Sequence, residues 1–199
     1  MKLRYLALLP ILALTGCVTS SSYMSPAQPP QAAAGNAVIT FYRTSFVDGD
    51  IAQAPIVEKA GDSIKLVGIA SSGTKIQYEV APGEHSFVVG GQSSHYLKAN
   101  VQAGKSYYVR VVTKMGIVKA RFRLLAQKGG ELPAAIEKAS TIRTVKTNAS
   151  AATWFAENKV SMQNKYNRAA AAYARKPHPS FTIEPGDGIS ISEDPNLKR

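Results

Sequence analysis

Metal sites are built from converging histidine, cysteine and carboxylate side chains, and this 199-residue sequence holds few histidines and one cysteine. Its three histidines are His85, His95 and His178, and no two of them have the i, i+4 spacing that places both on one helix face. His85 and His95 could face one another across neighbouring strands, with Glu84 nearby. The alternative is that one is a partly buried polar residue and the other a loop residue. We therefore predict no metal and no cofactor.

Serine and histidine, the residue types of nucleophilic catalysis, stand together at Ser93-Ser94-His95. Neighbouring side chains on a strand point to opposite faces of the sheet, so this triplet does not form a catalytic triad. The pairs Gly90-Gly91 and Gly129-Gly130 lack the lysine and hydroxyl residue of a phosphate-binding loop. Asp48 and Asp50 supply too few oxygen ligands for calcium. The sequence therefore predicts a protein that is not an enzyme.

One predicted surface, a row of basic residues on a strand, suggests binding to an anion or a partner. Alternation along one predicted strand places Lys119, Arg121 and Arg123 on one face, opposite a face of apolar residues. Like charges side by side on a strand are unfavourable unless an anion or an acidic surface meets them. We predict that these three residues contact an anion or a partner. The alternative is a solvated face.

The first sixteen residues have the features of an export signal. Lys2 and Arg4 form a basic start, the run from Tyr5 to Leu14 is apolar, and small residues precede Cys17. The apolar run is about half as long as a helix that crosses a bilayer. This order of charge, apolar run and small residues favours a signal peptide over residues 1–16 rather than a membrane span.

Leu14-Thr15-Gly16-Cys17 resembles the lipobox of bacterial lipoproteins. The resemblance implies cleavage before Cys17 and acylation of its thiol and new amino group, and two or more acyl chains anchor a protein stably in a bilayer. Val18 stands where such lipoproteins carry an aspartate when they stay in the inner membrane, so it implies the outer membrane, facing the periplasm. The alternative is an ordinary secretory signal followed by a lone cysteine, which has no second cysteine for a disulfide.

The whole chain has a formal net charge of +11, and the positive charge is concentrated in one part of it. Residues 37–109 hold six basic and six acidic residues, whereas residues 110–176 hold fourteen basic and three acidic ones. A local excess of this kind favours an anionic partner or an acidic protein surface, with a solvated lysine-rich face as the alternative. Because the signal predicts the cell envelope, we expect no nucleic acid among the partners.

The composition divides the chain into segments. Residues 17–36 are rich in Ser, Pro, Ala and Gln, and they predict a flexible tether behind the lipidated cysteine. Residues 37–126 contain short β-branched and aromatic runs separated by turn residues, which predict an antiparallel β-sandwich. Thr74 to Val80 alternates most clearly, with Ile76, Tyr78 and Val80 on one face.

Residues 127–176 predict a hinge, a short helix around Pro133 to Ala139 and a long amphipathic basic helix from Ser150 to Lys176. Asn148 or Ser150 can cap the long helix, and Pro177 ends it. Its apolar stripe is Phe155, Met162, Tyr166, Ala169 and Tyr173, flanked by Trp154, and its opposite face carries Lys159, Lys165, Arg168 and Arg175. The stripe is expected to dock on the sandwich. The alternatives are docking on another protein or on the membrane surface.

Residues 177–199 are rich in proline, glycine and serine. Residues 181–183 and 189–191 could pair as a hairpin across Pro185-Gly186-Asp187-Gly188, but a lone hairpin is only marginally stable. We expect this segment to be mostly disordered, or to become ordered on a partner.

Three segments occur in the order typical of a known family. They are Ile39–Arg43, Val80–Phe87 and Ala103–Arg110. Behind a lipobox, this order resembles a family of bacterial outer-membrane lipoproteins with a β-sandwich domain of unknown function, akin to surface-exposed domains marked by a Pro-Glu-Gly-Ala signature. The resemblance covers residues 37–125 and implies no catalytic residues. The residues themselves suit structural roles, because Pro82-Gly83 favours a turn and Tyr107-Tyr108 supplies area to both sheet faces.

The sequence thus supports three hypotheses about function. The first is a non-enzymatic, membrane-anchored periplasmic lipoprotein that serves as an envelope scaffold or assembly subunit with a protein partner. The second is a module that binds peptidoglycan or another anionic envelope polymer. The third is an envelope hydrolase, for which His85 and His95 are the available histidines.

Overall fold

The computed structural model describes residues 21–33, 35–44, 52–115 and 120–198. The predicted signal peptide, Cys17 and Lys119 lie outside these ranges. The strands are β1 (Met24–Pro26), β2 (Ala37–Arg43), β3 (Ala54–Ala60), β4 (Ser63–Ala70), β5 (Thr74–Val80), β6 (Gly83–Val89), β7 (His95–Val101), β8 (Lys105–Met115), β9 (Ala120–Gln127), β10 (Arg143–Thr147), β11 (Thr182–Ile183) and β12 (Ile189–Ser190), and the α-helices are α1 (Leu132–Ser140) and α2 (Ala149–Arg175).

The strands form two sheets, so the predicted mainly β class with a C-terminal helix is confirmed. One sheet has the order β1-β10-β5-β2-β8, with β9 and β12 both pairing with β8, and the other has the order β11-β7-β6-β3-β4. The pairs β2–β8, β10–β5 and β11–β7 are parallel. The prediction of purely antiparallel sheets is therefore wrong. Parallel neighbouring strands require a long crossover connection. Here the connection between β2 and β8 contains most strands of the second sheet.

The two sheets share one hydrophobic core. Phe41 of the first sheet and Phe87 of the second are both fully buried, and their rings meet edge to face at 5.2 Å. The alternation predicted for β5 is present, since Ile76 and Val80 are buried in this core. Val88 is also buried although it points away from the core, because a second layer covers the outer face of its sheet.

The second layer is α2, which begins and ends close to the predicted residues. Asn148 caps the helix by accepting a hydrogen bond from the Ala151 N–H at 3.2 Å. Met162, Tyr166 and Ala169 are buried against the outer face of the five-stranded sheet. The prediction that the apolar stripe docks on the sandwich is confirmed. No helix in the described part of the chain is both long and apolar enough to span a membrane.

Replacing Met162 with alanine should destabilise the protein by about 2–4 kcal/mol, since the thioether side chain is 1% exposed and truncation leaves a cavity under α2. Urea unfolding followed by circular dichroism measures the change. Val160→Ala is the matched control, because Val160 lies on the same helix and is 75% exposed. A Met162→Ala variant as stable as the control would contradict tight docking.

The outer face of the seven-stranded sheet is covered as well. The short helix α1, close to the predicted one, packs Leu132, Ala135 and Ala139 against Tyr42 and Tyr108. A helix therefore packs on part of each outer face of the sandwich.

The prediction of a mostly disordered segment after residue 176 is wrong. β11 pairs with β7 in one sheet, whereas β12 pairs with β8 in the other, so the two short strands do not form a hairpin with each other. Asp194 is fully buried and Asn196 is nearly so. The physical reason is that strand edges offer unpaired backbone groups, which even short proline- and glycine-rich segments can satisfy.

The predicted tether also contains regular structure. β1 pairs antiparallel with β10, and Met24 is buried with its Sδ accepting the Ile69 N–H at 3.3 Å. This contact covers part of the β4 edge, which explains why a segment without an apolar period still forms a strand.

Candidate functional site

β9 displays two of the three predicted contact residues. Arg121 and Arg123 are exposed, while the alternate residues Phe122 and Leu124 are buried in the core. Neither arginine forms an ion pair with an acidic residue in the described ranges. Lys119, the third predicted contact residue, lies outside those ranges. The two arginines are therefore available to a partner.

His95 lies where β7, β9 and the segment after α2 meet. Its Nδ1 accepts the Leu124 N–H at 3.3 Å, and its ring lies edge to face on Phe181 at 4.1 Å. Burial, with a smaller contribution from the charge of Arg123, lowers the pKa of His95 to about 4. The ring is neutral at pH 7. Since Nδ1 accepts, the proton is on Nε2, which has no hydrogen-bond partner among the described residues.

A cavity of about 150 Å³ opens beside His95, between the start of β7 and the C-terminal half of α2. Its walls include His95, Tyr96, Ala169, Tyr173, Lys176 and Phe181. An adjoining hollow shares Ser94, Ala169 and Ala172 and adds Arg168. No acidic residue of the described ranges lines either space. We call the cavity and its flanking cations Arg123, Arg168 and Lys176 the basic cleft.

Side-chain contacts hold the aromatic wall of the basic cleft in place. The ring centroids of Tyr96 and Tyr173 are 4.8 Å apart, and those of Tyr96 and Tyr166 are 6.0 Å apart. The Tyr173 hydroxyl is hydrogen-bonded to Thr182 Oγ1 at 2.7 Å, and the Tyr166 hydroxyl to Ser86 Oγ at 2.5 Å. The wall is thus tied both to the sheet and to the segment after α2.

The structure does not bring His85 and His95 together. His85 pairs with Ala99 and His95 with Val89, so they lie at opposite ends of the β6–β7 pair. Glu84 forms an ion pair with Lys98 at 2.8 Å. Across the residues that the structure describes, no group of three histidine, cysteine, aspartate or glutamate side chains is arranged to hold a metal.

His85 instead belongs to a cluster around Glu58 that the sequence analysis missed. Glu58 is 2% exposed and accepts hydrogen bonds from Tyr78 at 2.6 Å, Lys65 at 2.9 Å and His85 Nδ1 at 2.6 Å. Burial alone would raise the pKa of Glu58, but these hydrogen bonds and the charge of Lys65 outweigh it and lower the pKa. Glu58 is therefore held as a carboxylate.

The hydrogen-bonded charged residues around Glu58 have the geometry of a group that stabilises the fold. The second ring nitrogen of His85, Nε2, faces the Ala81 carbonyl at 2.8 Å. Both ring nitrogens therefore lie within hydrogen-bond distance of oxygen atoms. A ring bonded in this way has no free nitrogen with which to accept a proton from a nucleophile.

A second polar network that the sequence did not reveal fastens the C-terminal segment to the first sheet. Asp194 accepts hydrogen bonds from Ser106 Oγ at 2.5 Å, Tyr108 OH at 2.6 Å and the Asn196 N–H at 2.9 Å. Buried Lys75 donates to Asn196 Oδ1 at 2.7 Å and to a carbonyl of α1 at 2.8 Å. Burial lowers the pKa of Lys75, and the charge of Asp194 partly offsets this. The network joins β5, β8, α1 and residues 194–196.

No protein-family model matches this chain, and neither does any curated protein.

Proposed function

We propose that this chain is a non-enzymatic, lipid-anchored protein of the bacterial outer membrane, facing the periplasm, which serves as a scaffold or assembly subunit for an acidic protein partner. The observation that carries the proposal is the pair of exposed arginines on β9, Arg121 and Arg123, which have no acidic partner among the described residues. Arg123 also belongs to the basic cleft, so the β9 face and the cleft form one continuous basic region.

The distance from the proposed anchor supports a partner close to the membrane. Seven Cα-to-Cα steps separate Cys17 from Met24, the first residue of β1. At 3.3–3.6 Å per residue they reach at most about 25 Å. Ser21 is already buried and hydrogen-bonded to Gln53, which shortens the reach further. We infer that the folded domain works near the bilayer surface and meets a partner that is itself membrane-proximal.

The surroundings of the histidines support a non-enzymatic role. His85 is bonded through both ring nitrogens, and within the part of the chain that the structure describes His95 has no carboxylate partner to orient it. Ser93 and Ser94 form no hydrogen bond with His95 in the described contacts. The nucleophile, base and orienting acid of a hydrolase are therefore not assembled around either ring.

Crosslinking in cells followed by purification in mild detergent tests the proposed scaffold role. The double variant Arg121→Glu/Arg123→Glu should recover at least about five-fold less of a stoichiometric acidic protein, because two attractive contacts become repulsive. Raising the salt concentration should weaken recovery by the unaltered protein, since exposed ion pairs are screened.

The matched control is Lys138→Glu/Lys146→Glu, which makes the same change in charge at exposed residues on α1 and β10. Equal recovery by both double variants would contradict a role for the β9 arginines. Recovery of peptidoglycan fragments in place of a protein would favour the polymer-binding alternative. Cys17→Ser should release the chain from the membrane fraction, and its retention there would contradict the lipid anchor.

A further inference from the structure

The basic cleft combines three features. It has a partly open, largely apolar wall, a hydrogen-bond donor without a partner among the described residues, and cations at its mouth with no acidic residue among the described residues that line it. Each feature restricts what the cleft can bind. Together they indicate a small ligand group with an anionic end and an apolar body.

We propose that the basic cleft binds the carboxyl terminus of a partner protein, with the terminal carboxylate between His95 Nε2–H and the Lys176 ammonium and the last side chain against Tyr96 and Tyr173. The inference rests on the proposed function and deepens it, because it names the part of the partner that is held. The β9 arginines would then contact acidic residues that precede the terminus.

The donor arrangement suits a carboxylate. His95 offers one N–H, because its Nδ1 is taken by Leu124, and Lys176, which also lines the cavity, is exposed and offers its ammonium group. Two donor groups match the two oxygens of a carboxylate. A phosphate group has more acceptor oxygens than these two donor groups match.

The charge distribution supports the same assignment. The C-terminal end of α2 carries a partial negative charge, which Lys176 partly neutralises. Arg168, about two turns earlier on α2, and Arg123 on β9 add further positive charge. The mouth of the cleft therefore attracts an anion in spite of the helix end beside it.

The size and shape of the cleft limit the apolar body to about one small residue. The cavity of about 150 Å³ is bounded by Ala169 and by the fixed rings of Tyr96, Tyr173 and Phe181. The Tyr96 and Tyr173 rings pack on each other, Phe181 packs on the His95 ring, and the Tyr173 hydroxyl is hydrogen-bonded to Thr182. A preformed wall loses little side-chain entropy when a ligand is bound.

Fluorescence anisotropy with the full-length chain in detergent micelles tests this inference. The probe is a labelled peptide ending in Asp-Glu-Ser-Ala, compared with the same peptide ending in a carboxamide. We expect the free acid to bind at least about ten-fold more tightly than the amide. Lys176→Gln and Arg168→Gln should each weaken binding of the acid about three- to five-fold and leave binding of the amide unchanged. Lys159→Gln, an exposed cation elsewhere on α2, is the matched control and should have no effect.

Equal affinity for acid and amide, or an unchanged affinity in Lys176→Gln, would overturn the inference. A ten-fold preference for a terminal D-alanine, or binding of a carboxylated amino sugar alone, would also overturn it, in favour of a peptidoglycan ligand. The two proposals can fail separately. If peptides do not bind while crosslinking in cells still depends on Arg121 and Arg123, the scaffold role stands and the terminus-binding cleft does not.

Discussion

Replacing Asp194 with alanine should lower the free energy of unfolding by about 3–5 kcal/mol, because it removes a fully buried carboxylate that accepts three hydrogen bonds. The Ser106 and Tyr108 hydroxyls and the Asn196 N–H would lose their acceptor in a site closed to water. Lys75 would also remain as a buried cation without the nearby negative charge. The whole C-terminal segment should then detach more readily from the first sheet.

Urea unfolding measures the loss of stability, and limited proteolysis measures detachment of the segment. The neighbouring Glu193→Ala is the matched control, because Glu193 is exposed. Asp194→Asn should fall between the two, since an amide keeps one acceptor oxygen. An Asp194→Ala variant that is as stable and as protease-resistant as the control would show that the buried network does not fasten the segment.

Replacing Glu58 with glutamine should cost about 2–3 kcal/mol at pH 7, because Tyr78, Lys65 and His85 lose hydrogen bonds to a charged acceptor. The effect should depend on pH. The pKa of Glu58 is lower in the folded protein than its ordinary value of 4.5. Its stabilising contribution is therefore complete above the unfolded-state pKa and declines as the pH falls from about 4.5 through the lower folded-state pKa.

The stability difference between the unaltered protein and Glu58→Gln should accordingly shrink in acid. Urea midpoints measured from pH 7 to pH 3 test this expectation, with Glu137→Gln as the control at an exposed glutamate. A difference that stays constant over the whole range would mean that the carboxylate of Glu58 contributes no charge-dependent stability.

Local patterns predicted individual elements well. Thr74–Val80 alternates over its whole length and forms β5 with the predicted bounds, and the apolar stripe and caps place α2 within a residue at either end. These features depend on residues within a few positions of one another. Side-chain period and capping are therefore sufficient to find them.

Pairing between distant segments was beyond the same patterns. A two-residue strand such as β11 or β12 has no period, and its existence depends on an edge supplied by β7 or β8. The parallel pair β2–β8 joins Ile39 to Tyr107 and leaves no local mark. For this reason the sheets were predicted as antiparallel and the C-terminal segment as disordered.

The same distinction between local patterns and contacts of distant segments applies to the candidate site. Alternation in β9 predicted that Arg121 and Arg123 share one exposed face. The basic cleft draws His95 from β7, Arg123 from β9, and Lys176 and Phe181 from the segment that follows α2, so no local spacing predicts it. The Glu58 cluster likewise takes one side chain from each of β3, β4, β5 and β6.

The buried network around Asp194 also constrains the order in which contacts can form during folding. Lys75 bonds to a residue 121 positions later, and Tyr108 to one 86 positions later. In a chain that emerges from its N-terminus, during synthesis or translocation, the Lys75–Asn196 and Tyr108–Asp194 hydrogen bonds cannot form until residues 194–196 follow. Contacts at such long sequence separation form slowly. The nascent chain should therefore remain loosely packed and accessible to chaperones for most of its emergence. Its final packing should form in one late step.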